Sequence, residues 1–272
     1  MDRGRILLAS AVLLLAAFVY DGVLRPFVER VVGLPAIPGG LPTLTMVLTL
    51  FSLTHASYAL GWRHAAAFFL IAAGVSWVFE QIGVETGVLY GRYVYTDVLG
   101  AKLGHVPILI PMAWFMMIYP SYVIANLIAD GQPIGSRGGI ARLALVAALG
   151  ALVMTAWDVV VDPILSGPDV RAWIWQDGGP YFGIPAQNFV GWIATTFAVF
   201  LAYRLVERRW PLRPFGPSSR PVAALPLVAY GAMLLANLQV GAAPEALIVI
   251  GPMAMGPPLL AAVIRLLSPG RQ

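Results

Sequence analysis

The run "IARLALVAALGALVMTAWDVVVD", residues 140–162, decides the fold. A helix needs about 20 apolar residues to cross the hydrocarbon core of a bilayer, and this run supplies them with one arginine near its start. Its far end breaks the pattern. Asp158 and Asp162 stand four residues apart, one helical turn, so both carboxyls face the same way. Pro163 follows and is expected to help end the helix. Ionisable groups within a membrane segment default to function, so one stretch suggests both a span and a site. The plainer reading has Asp162 marking the interface and Asp158 paired with an arginine.

The rest of the chain agrees with a span. Of 272 residues, 59% are hydrophobic and 11% charged, with a mean hydropathy of +0.81. A soluble domain carries about 25% charged residues. The expected fold is an all-α, polytopic transmembrane helix bundle forming one integral-membrane domain over residues 1–272. Eight spans are predicted, at roughly 6–24, 41–62, 64–82, 106–129, 140–162, 188–206, 222–240 and 245–267. Gly251-Pro252 and Gly256-Pro257-Pro258 are expected to kink the last. The N-terminal "MDRGRILLASAVLLLAAFVY" has the look of a signal peptide. It is read as the first span, because its apolar run is long and no small-x-small cleavage site precedes Asp21. With no cysteine, disulfides, iron–sulfur clusters and thiolate zinc sites are excluded.

Charge sets the orientation. Of the 17 basic residues, one side of an eight-span bundle holds Arg3, Arg5, Arg63, Arg137, Arg142, Arg204, Arg208, Arg209, Arg213, Arg220, Arg265 and Arg271. The other holds Arg25, Arg30, Arg92, Lys102 and Arg171. Both termini are therefore expected in the cytoplasm, with the chain multi-pass in the cell (inner) membrane. The sequence pI near 9.6 follows from this asymmetry and does not imply nucleic acid. Carboxylates show the reverse bias. Asp21, Glu29, Glu80, Glu85, Asp97, Asp158, Asp162, Asp169, Asp177 and Glu245 fall toward the outer side. Glu80, in "SWVFEQIGVETG", and Asp158 lie at similar depth in their spans and are expected to share one outer cavity.

Two loops on that side are dense in aromatics and glycine: "ETGVLYGRYVYTDVLGAKLGHVPILIPMAW" and "RAWIWQDGGPYFGIPAQNFVGW". They predict ordered caps over an apolar substrate. Tyr90, Tyr93, Tyr95 and Trp114 are candidate pocket residues from the first, and Trp173, Trp175, Tyr181, Phe182, Asn188 and Trp192 from the second. The alternatives are an interfacial aromatic belt and, for Asn188, a helix N-cap. His55, His64 and His105 do not form metal-ligand spacing, so no bound metal is expected.

In order and spacing, Glu80 with "ETGVLYGRYVYTDVLG", then "VPILIPMAWFMMIYPSY", "AWDVVVDP" and "YFGIPAQNFVGW" resemble the integral-membrane carotenoid biosynthesis family over roughly residues 74–195. Characterised members are carotenoid 1,2-hydratases of the bisanhydrobacterioruberin hydratase type. The resemblance implies an acyclic carotenoid and water as reactants, lipid and other carotenoid-pathway enzymes as neighbours, and no cofactor. It supplies no catalytic residues, so roles come from chemistry. Hydration of a terminal C1=C2 bond protonates C2, forms a tertiary cation at C1 and captures it with water. Burial raises a carboxyl's pKa and a second carboxylate raises one of a pair further. Asp158, Asp162 and Glu80 are therefore the candidate acid and base. Trp114, Trp157, Tyr93, Tyr95 and Trp192 are candidates to face the cation, with Asn188 also at the substrate. A carotenoid cyclase shares the first protonation. An intramembrane prenyltransferase would use Asp158-x-x-x-Asp162 for a metal–diphosphate, but a second acidic cluster is missing. A transporter would carry its carboxylates at the midplane.

Overall fold

A computed structural model describes residues 2–28, 32, 36–239 and 243–268. Glu29, Arg30 and Arg271 of the charge tally, and Val240 at the edge of the seventh predicted span, lie outside the described residues. Helix α1 (Arg3–Val19) continues through a π-helical turn at Tyr20–Leu24 into the short α2 (Arg25–Val28). There follow α3 (Gly40–Leu60), α4 (Trp62–Thr86), α5 (Leu109–Asp130), α6 (Ile140–Leu165), α7 (Ala186–Arg209), α8 (Arg220–Leu238) and α9 (Leu247–Leu267). Counting α1 with its π turn, eight are long and apolar enough to cross a membrane. The protein is a multi-pass membrane bundle.

Helix α5 is its hub. Every side chain from Trp114 to Leu127 is buried, because α3, α4, α6, α8 and α9 all pack against it. The most extensive pairing is α6 on α7. There Gly150 lets the Phe200 ring approach so closely that an added Cβ would sit 2.7 Å from it.

Prolines inside helices set a second constraint. Proline has no N–H, so the carbonyl four residues earlier loses its helical partner. In lipid such a group must be met by a neighbour. Pro120 frees the Met116 carbonyl, which accepts from Ser52 Oγ on α3 at 2.9 Å. Pro226 frees Val222, whose carbonyl lies 2.9 Å from His55 Nε2. A carbonyl only accepts, so His55 carries its proton on Nε2, and Nδ1 accepts from the Tyr119 hydroxyl at 2.6 Å. Pro163 frees Val159, which accepts from the Tyr181 hydroxyl at 2.8 Å. This overturns the expectation that Pro163 ends its helix. With the freed carbonyl satisfied, α6 runs on to Leu165. Helix α9 is also continuous through Pro252, Pro257 and Pro258.

The aromatic loops are ordered. Strand β1 (Tyr93–Tyr95) leads to a small hairpin of β2 (Lys102–Leu103) and β3 (Val106–Pro107), and β4 (Trp173–Trp175) lies between α6 and α7. Strands β1 and β4 pair antiparallel, with Tyr93 opposite Trp175 and Tyr95 opposite Trp173. Two flanking backbone bonds, Gln176 N to Arg92 O and Thr96 N to Ala172 O, extend the ribbon. At its edge the exposed Arg92 grips Asp177 at 2.8 Å and holds that carboxyl below its usual range.

Ser52→Ala should lower the thermal midpoint in detergent, since an orphaned buried acceptor costs about 1–3 kcal/mol. Pro120→Ala added to it returns an N–H to the Met116 carbonyl, and the double variant should recover most of the loss. No recovery would refute this assignment of the Ser52 hydroxyl.

Candidate active site

Side chains alternate across a strand, so the β1–β4 ribbon turns Tyr93, Tyr95, Trp173 and Trp175 to one face while Val94 stays on the outer one, 41% exposed. The inner face sits over two carboxyls. Glu80, on the last turns of α4, accepts from the Tyr93 hydroxyl at 2.5 Å and the Tyr95 hydroxyl at 2.8 Å on Oε2. Its Oε1 accepts from Trp114 Nε1 at 3.1 Å. Asp162, near the end of α6, accepts from Trp173 Nε1 at 2.8 Å and Trp175 Nε1 at 3.3 Å on Oδ1. One ribbon thus supplies two phenols to one carboxyl and two indoles to the other.

The third carboxyl is treated differently. Asn188 Nδ2 donates to Asp162 Oδ2 at 2.8 Å and to Asp158 Oδ2 at 2.9 Å, bridging the pair. Asp158 Oδ1 is buried with no partner. Glu80 and Asp162 each accept from three side-chain donors, and Asp158 from one. Burial first, and Glu80 second, push the Tyr93 and Tyr95 hydroxyls far above their ordinary range, so both remain donors.

Aromatic rings form the remaining wall. Trp114 stacks on Trp192 with centroids 4.0 Å apart, and Trp157 meets Trp192 edge-on at 5.8 Å. Tyr90 donates to or accepts from Thr195 Oγ1 at 2.6 Å. Its ring lies between two glycines: a Cβ at Gly83 or Gly191 would come within 2.5 Å of it.

These groups enclose a cavity of about 60 Å³, lined among others by Glu80, Asp162, Asn188 and Trp192. A water needs roughly 10–15 Å³ of such space, so it takes a few waters. Beside it lies an apolar cavity of about 600 Å³. The two share Ile110, Ala113, Trp157, Val161 and Leu165 as common wall. The larger one reaches the surface at Ala36, Pro38 and Leu41, between α2 and α3.

Of the nine residues given a catalytic or substrate-facing role from the sequence, eight line the small cavity: Glu80, Asp162, Tyr93, Tyr95, Trp114, Trp157, Asn188 and Trp192; of the other candidate pocket residues, Tyr90, Trp173 and Trp175 line it and Tyr181 and Phe182 do not. Asp158 stands behind it, reached through Asn188. Two plain readings fail. Asp158 meets an amide, not an arginine. Asn188 is no N-cap, since Pro185 holds that position and Asn188 is inside α7. Sequence reasoning missed that Trp173 and Trp175 hold Asp162. The signal was present, because Y-V-Y and W-I-W are matching alternations of aromatic and β-branched residues. It also missed Gly83 and Gly191, whose role depends on a ring from a distant loop.

The family profile described as carotenoid biosynthesis protein matches residues 41–257. The chain belongs to that family. Over 129 residues it is 28% identical to the bisanhydrobacterioruberin hydratase of Haloarcula japonica, covering 47% of this chain and 41% of that protein. The chain thus matches about two-fifths of the length of that curated relative. No solved structure matches.

Gly191→Ala should displace Tyr90 and loosen the cap. Trypsin cleavage at the exposed Arg92 and Arg171 would then accelerate by about tenfold, with the helices otherwise intact by circular dichroism. An unchanged cleavage rate would remove the glycine clamp from the account.

Proposed function

Taking family membership as the premise, we propose that this protein is a carotenoid 1,2-hydratase. It adds water across the terminal C1=C2 bond of an acyclic ψ-end, at an integral-membrane site in the cell (inner) membrane. The observation that carries the reading is the pairing of two unlike cavities. One is apolar, with about 600 Å³ for a polyene end; the other is small, carboxylate-lined and roomy enough for water, and they share a wall. The hydratase relative supports the same reading.

The chemistry follows from the donor pattern. The proton is held on the Asp158–Asp162 pair, where Asp158 has an oxygen without a donor. Asp162, which faces the cavity, delivers it to C2 of the alkene. The resulting cation at C1 lies against the Trp114, Trp192 and Trp157 rings, whose faces stabilise it by about 2 kcal/mol each when desolvated. The carboxylate of Glu80 adds its charge and holds the attacking water. Water's oxygen bonds to C1, and its released proton passes to Glu80. The net change is one water added. Resetting the cycle returns that proton from Glu80 to the aspartates through the water-sized cavity that Glu80 and Asp162 both line. The reaction needs no electron carrier, and none of its steps calls for a metal. Substrate and product stay in contact with lipid, beside other enzymes acting on carotenoids.

Cyclisation begins with the same protonation. The inner cavity is water-sized and has Glu80 and Asp162 in its wall, which favours capture by water over closure by the polyene's own double bond. Expression in a lycopene-producing host tests this directly. Hydrated pigments gain the mass of water at each modified end, whereas a cyclised pigment keeps the mass of its precursor and would displace the hydratase reading.

Asp158→Asn, Asp162→Asn and Glu80→Gln should each abolish the modified pigment, while the protein is still recovered folded in the membrane. Full activity in both aspartate variants would eliminate the pair as acid. Ala113→Trp, which fills the shared wall, should lower product at least about tenfold, the effect of a barrier raised by roughly 1.4 kcal/mol. A wild-type pigment profile in that variant would disconnect the apolar cavity from the reaction.

A further inference from the structure

The end of the bundle away from the Glu80–Asp158–Asp162 cluster holds a third, unrelated cavity of about 520 Å³. It lies where the α3–α4 corner meets the segment after α7. That segment is laced to the corner by backbone bonds, Arg213 N to Leu60 O at 3.2 Å and Phe215 N to Tyr58 O at 2.8 Å. Gly61 takes φ +93° and permits the close approach, because a Cβ there would stand 2.5 Å from the Arg213 carbonyl oxygen. The cavity is therefore built by the fold.

Its lining has one sign of charge. Arg63, Arg213 and His64 contribute to the wall, with Trp62 and Trp210, and among the described residues no carboxylate joins them. Arg63 is steadied over the Trp62 ring at 5.5 Å. Interfacial arginines alone are what topology demands. His64 is the observation that asks for more. It is only 3% exposed, and its Nε2 has no partner. Its ring meets Trp210 edge-on at 6.1 Å. Its Nδ1 lies 3.5 Å from the Tyr203 hydroxyl, and Tyr203 is fixed by stacking on Phe68 at 3.8 Å. With that hydroxyl donating to Nδ1, the imidazole proton sits on Nε2 as an unused donor in the cavity wall.

We propose that this cavity binds the phosphate of an anionic phospholipid headgroup, with Arg63, Arg213 and His64 Nε2 as its donors. Trp62 and Trp210 are 61% and 51% exposed and flank the cavity as interfacial aromatics do. They place it at headgroup depth, where a basic pocket between helices takes anionic lipid. The site is separate from the carboxylate cluster and does not depend on the hydratase reading.

Native mass spectrometry of the full chain, released from micelles doped with phosphatidylglycerol or phosphatidylcholine, tests it. The wild type should retain phosphatidylglycerol about tenfold over phosphatidylcholine. Arg63→Ala and Arg213→Ala, both at exposed positions, should each reduce that retention about fivefold. His64→Phe should reduce it while His64→Gln, which keeps a donor, retains more; thermal midpoints establish that both are folded. Equal retention of the two lipids, or a double arginine variant that retains phosphatidylglycerol like wild type, overturns the proposal. If inorganic phosphate alone displaces the lipid at equimolar concentration, a free anion is the ligand and the lipid assignment falls.

Discussion

A carboxyl removed from water must be met by donors, and in this protein three carboxyls share one end of a bundle embedded in lipid. Most of the local architecture answers that demand. The only regular strands between α4 and α7 that pair across loops do so to aim two tyrosines at Glu80 and two tryptophans at Asp162. A hydrogen bond contributes about 1 kcal/mol net, and an orphaned buried acceptor costs more than that. The ribbon is therefore held down by the groups it serves. Asn188 completes the set by placing a neutral amide between two aspartates that would otherwise face each other unshielded. Among the oxygens of these three carboxyls, Asp158 Oδ1 alone is left without a donor, and in the wall of the small cavity the Trp157 Nε1 donor is left without an acceptor.

The same accounting applies to the backbone. Ser52, His55 and Tyr181 each reach from one element to a carbonyl that a proline has freed in another. These contacts join α3 to α5, α3 to α8 and the second aromatic loop to α6. Prolines in these helices thus act as attachment points, since each creates an acceptor that only a neighbour can fill. The bond from Tyr181 also couples the cap to the helix that carries Asp158 and Asp162.

The spans were legible because apolar length alone reveals a membrane helix. Their ends shifted by a few residues where caps and arginines blur the boundary, as at Arg3 and Arg209. The grouping of Glu80 with Asp158 and Asp162 was also legible, since depth along each span can be counted. What could not be read was which partner each side chain takes. Tyr93 and Tyr95 were as consistent with an interfacial belt as with a carboxylate, because the deciding fact is the register of β1 against a strand some 80 residues later. Pro163 was misjudged for the same reason: whether it stops a helix depends on a hydroxyl from another loop. Asp158 was expected in the cavity with Glu80 from its depth along the span, whereas Asn188 interposes and leaves it one step behind. Gly83 and Gly191 gave no signal, since space for a ring is a property of two helices and a loop together.

The pinned ribbon has one more consequence. Because its inner face is bonded to Glu80 and Asp162 at four points, the cap is costly to lift, and the larger cavity instead meets the surface beside α3. On the proposed function, a hydrophobic guest would arrive and leave sideways, through the lipid. Saturation of such a protein is governed by the mole fraction of guest in the bilayer, so diluting the membrane with inert lipid slows it while diluting the surrounding buffer does not.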